Sequence, residues 1–148
     1  MTPVTAVGLF CDDIREEKAG TDSLVGVMPD SLNMPQFPGV LLRLSLYVRV
    51  LADPGTKLGE TTLWLRLPDG KERHLQTIDA AVIDGSQEQA RRALFPYAGL
   101  IMRVAFQNFP VPAPGRMDAI VKWRGGEAIC AALNFQLTPE GASDARHS

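Results

Sequence analysis

The fold is decided by the stretch Met117-Asp118-Ala119-Ile120-Val121-Lys122-Trp123, which is followed by Arg124-Gly125-Gly126-Glu127 and by an apolar run over 129–137. The pattern predicts two strands joined by a tight glycine turn, because glycine reaches the positive φ of primed hairpin turns at little cost. One face of each strand is expected to be apolar, formed by Met117, Ala119, Val121 and Trp123 on the first and by Ile129, Ala131, Leu133 and Phe135 on the second. Such a closing hairpin is typical of immunoglobulin-like sandwich domains.

Working outward from this hairpin, the longest alternating segment is 40–51. Its apolar residues from Leu42 to Val50 alternate with Arg43, Ser45, Tyr47 and Arg49. A period of two over this length predicts a half-buried antiparallel strand, since a helix would mix the arginines with the leucines. Residues 61–67 repeat the pattern. Asp69-Gly70 then predicts a hairpin turn into a polar edge strand over 71–78.

The remaining segments complete a small all-β domain. We expect strands at 4–11, 24–28 and 100–109, an irregular proline-rich crossing at 29–38, and one short helix over 86–94 that Ser86 and Gln89 cap. With so little helix, two antiparallel sheets must bury their apolar faces against each other. The prediction is an immunoglobulin-like antiparallel β-sandwich of about seven to eight strands. It forms one domain over residues 1–137, with a disordered polar tail over 138–148.

Composition and charge narrow the classes of partner. The 148 residues are 45% apolar and 22% charged, with a formal net charge of −2. The chain therefore has no broad positive field for nucleic acid or an anionic membrane, and we expect neither as a partner. Residues 1–11 lack the basic start and the cleavage site of a secretory leader. We expect a cytoplasmic protein, the alternative being export or entry into a particle without such a leader.

The two cysteines, Cys11 and Cys130, stand near opposite ends of the chain. This spacing excludes a local zinc motif and a Cys-x-x-Cys redox pair. We interpret them as buried free thiols in a reducing compartment, and a disulfide between the first and last strands is the alternative.

The densest cluster of functional groups follows the first strand, on an expected loop that carries Asp12, Asp13, Glu16, Glu17 and Asp22. Several carboxylates on an adaptable loop are what calcium requires, although the EF-hand spacing is absent. The alternatives are a solvated loop neutralised by Arg15 and Lys18, a charged contact surface, or a structural corner in which Asp12 or Asp13 accepts backbone N–H groups.

Catalytic signals are weak throughout. His74 is the only histidine outside the tail, and no Gly-x-Ser-x-Gly elbow or glycine-rich phosphate loop accompanies it. We interpret His74 as a surface residue and expect no catalytic residue and no cofactor. An enzyme is the third hypothesis, after the two binding functions.

Two aromatic residues favour a protein–protein interface. Tyr47 and Trp64 point away from the leucine faces of their strands, and the nearby basic residues are Arg43, Arg49 and Arg66. Outward Trp, Tyr and Arg have the composition of interfaces. The leading hypothesis is a non-catalytic module that self-associates or binds a protein partner. The alternatives are a cover by the helix or the proline-rich crossing, and a small-ligand or calcium-binding sandwich.

A family resemblance begins at Leu9-Phe10-Cys11-Asp12-Asp13-Ile14-Arg15-Glu16-Glu17 and continues through Ser23-Leu24-Val25-Gly26-Val27 and Phe37-Pro38. These motifs resemble an uncharacterised bacterial and phage-associated family, over residues 6–137. The resemblance implies an immunoglobulin-like sandwich in single-domain proteins of unassigned function. It implies no catalytic residues, and the segment 86–94 fits it least.

Overall fold

The computed structural model describes residues 4–139. Within this range nine strands and one helix follow one another, namely β1 (Val4–Glu16), β2 (Asp22–Val27), β3 (Ser31–Met34), β4 (Gly39–Ala52), β5 (Thr61–Arg66), β6 (Glu72–Ile78), α1 (Ala80–Arg92), β7 (Ala98–Val111), β8 (Gly115–Trp123) and β9 (Gly126–Leu137). Four strands form one sheet in the order β2-β1-β4-β7, and five form the other in the order β3-β9-β8-β5-β6.

The topology confirms an immunoglobulin-like sandwich. Without β2 and β3, the sheet orders are β1-β4-β7 and β9-β8-β5-β6. These orders match strands A-B-E and G-F-C with an added C′ of the immunoglobulin fold, and α1 lies between β6 and β7 where strand D would come. The described pairings are antiparallel except that of β3 with β9, which is parallel.

The proline-rich crossing contains a strand that the sequence did not predict. Ser31–Met34 pairs with the end of β9, and the Thr138 N–H donates to the Met34 carbonyl at 2.8 Å. Pro29 and Pro35 flank this strand without interrupting it, which is how an edge strand tolerates proline. Thr138 is therefore held by the sheet, whereas the rest of the predicted tail, from 140 onward, lies outside the described residues.

The core lies between the sheets and follows the predicted alternation. Its fully buried members include Leu44, Leu46 and Val48 of β4, Leu63 and Leu65 of β5, Met102 of β7 and Leu133 of β9. Leu42 is an exception in β4: it was predicted to face inward but is 74% exposed. It stands opposite Asn108, whose φ is +52°, and beyond that break Leu41 and Phe109 face the core instead.

The closing hairpin forms as predicted, with two corrections. Its two-residue turn is Arg124-Gly125, and neither Gly125 nor Gly126 takes a positive φ. The pairing also shifts register between Ala119 and Ile120, so that Ile129 turns outward and is 49% exposed. The extra residue of this bulge is Cys130, whose side chain is buried where that of Ile129 was expected.

The single predicted helix exists, but α1 begins six residues earlier than expected. It is preceded by Asp79, which makes no side-chain cap, and Ser86 lies inside the helix. Asp84 and Gly85 lie inside α1 although both residue types have a low helix propensity. Tertiary contacts outweigh this low propensity, because Ile83 and Gln87 are buried against the sandwich. No helix in residues 4–139 has the length and apolar character needed to cross a membrane.

Gly85 gives the first testable prediction. It is an exposed position in the interior of α1, and a Cβ added there would have open space around it. Gly85→Ala should raise the free energy of unfolding by about 1 kcal/mol, because alanine loses less backbone entropy in a helix. Urea denaturation measures the change. Gly20→Ala is the control: it also has open space but a φ of +83°, so it should destabilise. A destabilised Gly85→Ala variant would contradict the prediction.

Candidate functional site

The acidic segment is a β-hairpin and not the predicted loop. Asp12, Asp13 and Glu16 lie in β1, which pairs with β2 as far as Glu16 opposite Asp22. The turn is closed where the Glu17 N–H donates to the Thr21 carbonyl at 2.8 Å. The backbone of β1 keeps its strand conformation through the acidic residues because β2, with Leu24, Val25 and Val27, pairs with it. The charged composition of the segment had favoured a loop over this strand.

This hairpin folds across the outer face of the four-stranded sheet. Arg103 of β7 pairs with Tyr47 of β4, which in turn pairs with Leu9 of β1. Asp22 of β2 pairs with Glu16, which lies seven residues after Leu9 along β1. In a flat sheet that offset would amount to about 23 Å. Arg103 Nη2 nevertheless lies 2.7 Å from Asp22 Oδ2. The hairpin must therefore turn back over β4, and it buries Cys11 and Ser45 beneath it.

The predicted calcium ligands do not converge. Asp22 is engaged by Arg103, and this hydrogen bond raises the pKa of the arginine. Asp13 lies 3.6 Å from Arg15. In the described part of the chain, no three carboxylate, histidine or cysteine side chains group where they could hold a metal ion.

An exposed apolar surface lies beside the hairpin, on the outer face of the four-stranded sheet. Val7 is 55% exposed, Leu9 42% and Ile101 41%. Pairing places Leu9 beside Tyr47, and it places Val7, Arg49 and Ile101 in one row across three strands. We call the surface formed by these five residues the Tyr47 face.

Two walls bound the Tyr47 face. At one end stands the hairpin over Ser45. At the other, the end of α1 and the segment 95–99 form a groove of about 350 Å³ that includes Arg49 and Phe95. From Ser45 to Leu51 the floor is about 20 Å long at the rise of a β-strand. The fold thus makes a shallow cleft with an apolar floor, and no described residue forms an ion pair with Arg49.

The five residues predicted as one interface are divided by the fold. Tyr47 and Arg49 lie together on the Tyr47 face, and Arg43 is on the same sheet but beyond the covered Ser45. Trp64 and Arg66 lie on β5, on the outer face of the opposite sheet. A single partner surface therefore cannot include all five.

The polar and charged groups around Trp64 already have partners within the chain. Its Nε1 donates to Thr62 Oγ1 at 2.9 Å, Lys122 Nζ lies 4.7 Å from the ring centroid, and His74 packs against it edge-on. Glu72 accepts from Lys122 and Arg66, and these hydrogen bonds lower the pKa of its carboxyl. Because its charges are paired, this face has less to gain from a partner than the Tyr47 face has.

Sequence reasoning missed Val7, Leu9 and Ile101. The segments around them are apolar at both odd and even positions, so periodicity does not show which side chains face the core. Only the pairing with β4, whose alternation is clear, assigns them to the outer face.

A family model matches residues 6–136, nearly the whole described chain. The chain belongs to the family of unknown function DUF6941. A comparison with curated proteins found no match. Membership in DUF6941 agrees with the uncharacterised single-domain family that the sequence motifs resemble.

The two cysteines of this DUF6941 chain are free thiols in separate places. Cys130 packs beside Gly8, and its Sγ donates to the Ala119 carbonyl at 3.4 Å. Cys11 lies under the hairpin, outside the main core. Burial raises the pKa of Cys130 to about 12 and also raises that of Cys11. Burial thus favours the protonated form of both thiols, which is the weaker nucleophile.

Proposed function

We propose that the chain is a non-catalytic interaction module that self-associates through the Tyr47 face. The observation that carries this proposal is the group of exposed apolar side chains, Val7, Leu9 and Ile101, beside Tyr47 and Arg49. Contiguous exposed apolar surface on a folded domain is typical of association sites. Tyrosine and arginine are the residue types that contribute most to such contacts.

Charge favours a second copy as the partner. The hairpin end of the Tyr47 face carries the five acids from Asp12 to Asp22 against Arg15, Lys18 and Arg103, so an excess of negative charge remains there. The helix end carries Arg49, which is the only charged residue among the described residues that line the groove there. In a twofold dimer one copy is reversed relative to the other, so the acidic end would meet the basic end twice.

The module's setting belongs to the same proposal. The sequence motifs suggest a bacterial or phage protein, and we place it in the cytoplasm. A self-associating immunoglobulin-like domain would act there as a building element of a larger assembly.

Light scattering across a concentration series tests self-association. We expect a mass of about twice the 16.1 kDa of the chain at high concentration. Ile101→Asp should weaken the dimer at least about 100-fold, because it replaces an apolar contact with a carboxylate that must be desolvated and that would engage Arg49 opposite it. High salt should also weaken it.

Ile129→Asp is the matched control. Ile129 is similarly exposed but lies on the outer face of the other sheet. This variant should dimerise as the original chain does. A chain that is monomeric at every concentration would overturn self-association, and equal disruption by both variants would overturn the assignment to the Tyr47 face.

A further inference from the structure

A cavity of about 340 Å³ opens at the end of the sandwich where the β5–β6 turn meets the β7–β8 loop. Its floor is formed by Phe109 and Val111 of one sheet and by Met117 and Phe135 of the other. All four side chains belong to the buried core. The cavity therefore leads from the surface into the space between the two sheets, far from the described contacts of the Tyr47 face.

The mouth of the cavity is rigid. Three of its rim residues are the prolines of the Pro110–Pro114 segment, and Pro68 is a fourth. A proline ring fixes φ, which limits how far the rim can move. The two loops also touch: a Cβ added to Gly115 would lie 2.8 Å from Pro68 Cβ. Rigid walls keep the cavity open in advance of binding, which lowers the entropic cost for a ligand.

The lining is apolar apart from one carboxylate. Among the described residues that line the cavity, Asp69 is the only charged one. Its Oδ1 accepts the Lys71 N–H at 2.9 Å, and the described hydrogen bonds leave its second oxygen available. The negative charge at the mouth favours a cationic end group and opposes an anionic one.

We propose that this cavity binds a small apolar molecule, of about the size of a two-ring aromatic compound, with a cationic end group at Asp69. The volume lies at the lower end of the range for small-molecule sites, which excludes large ligands. The charge of Asp69 excludes fatty acids and other carboxylates as preferred ligands.

Two probes with the same ring and opposite charge test the proposal. Naphthylmethylamine, which is cationic at neutral pH, and naphthoate are titrated into the labelled chain and followed by amide NMR shifts. Naphthylmethylamine should shift residues around the cavity and bind at least about five-fold more tightly than naphthoate. Failure of both probes to shift these residues at millimolar concentration would overturn the proposal.

Asp69→Asn isolates the charge. Asparagine keeps an oxygen that can accept the Lys71 N–H, so the turn should persist. The preference for naphthylmethylamine should then fall to within two-fold. Asp53→Asn is the matched control, because Asp53 Oδ1 accepts the Gly55 N–H at 2.8 Å in a similar turn away from the cavity. A preference that survives in Asp69→Asn, or is lost equally in Asp53→Asn, would contradict the role of Asp69.

Ala113→Trp tests the location. Ala113 is an exposed rim residue, so a larger side chain can cover the mouth without entering the core. It should abolish binding of the cationic probe. Ile101→Asp should leave that binding unchanged. The proposal for the cavity and the proposal for self-association through the Tyr47 face are therefore tested independently. Unaltered binding to Ala113→Trp would place the probe elsewhere and overturn the proposal.

Discussion

Gln87→Leu is expected to lower the free energy of unfolding by about 3 kcal/mol. Gln87 lies in α1, is only 4% exposed, and ties the helix to the β4–β5 loop. Its Oε1 accepts the Leu58 N–H, and its Nε2 donates to the Asp53 and Thr56 carbonyls. Leucine fills a similar volume but leaves the Leu58 N–H and the Thr56 carbonyl without their partner, and each buried unpaired group costs about 1–3 kcal/mol. The Asp53 carbonyl still accepts the Thr56 N–H at 2.9 Å.

Urea denaturation measures this loss, with Gln89→Leu as the control on an exposed position of the same helix. The control should stay within about 0.5 kcal/mol of the original chain. Because α1 forms one wall of the cleft, Gln87→Leu should also weaken self-association. An unchanged denaturation midpoint would show that the three hydrogen bonds do not hold the helix in place.

Gly115→Ala is expected to destabilise by about 3 kcal/mol. Gly115 has a φ of +143°, which side chains rarely adopt, and its added Cβ would lie 2.8 Å from Pro68 Cβ. The proline is part of a turn and its ring cannot rotate away, so the backbone must move. Strained backbone costs about 1–3 kcal/mol, and the overlap adds to that cost.

Gly70→Ala separates the two contributions. Gly70 also has a positive φ, +87°, but a Cβ there would meet no atom within 4 Å. Gly70→Ala should therefore lower the free energy of unfolding by only about 1 kcal/mol, from backbone strain alone. Equal losses in the two variants would mean that the approach of Gly115 to Pro68 is not tight. In that case the rigid rim proposed for the cavity would lose its support.

Much of the fold follows from local pattern. The alternation of β4 and β5, the Asp69-Gly70 turn and the closing hairpin each depend on neighbours in sequence, and each formed, apart from Leu42 in β4 and the turn conformation and bulge of the hairpin. The failures involve interactions with distant residues. The helix extends over Asp84-Gly85 because Ile83 and Gln87 find partners on the sandwich. Ile129 turns outward because a bulge shifts its register, which alternation alone does not reveal.

The candidate site was less predictable than the fold. Tyr47 and Trp64 were both expected to point outward, and each lies on the outer face of its strand. That they belong to opposite sheets depends on which strand each one pairs with. The end cavity is formed by residues that are far apart in the chain, and its only sequence signal is the alternation of prolines over 110–114.

The sequence by itself determined that the chain is an antiparallel β-sandwich, because period-two alternation requires each strand to bury one face. Only the tertiary structure decided which exposed side chains share a surface. The hairpin of β1 and β2 lies back over β4, where Asp22 meets Arg103, a contact between residues 81 apart in the chain. Such pairings depend on the order of the strands in the sheets and on how the strands bend, and local residue patterns determine neither.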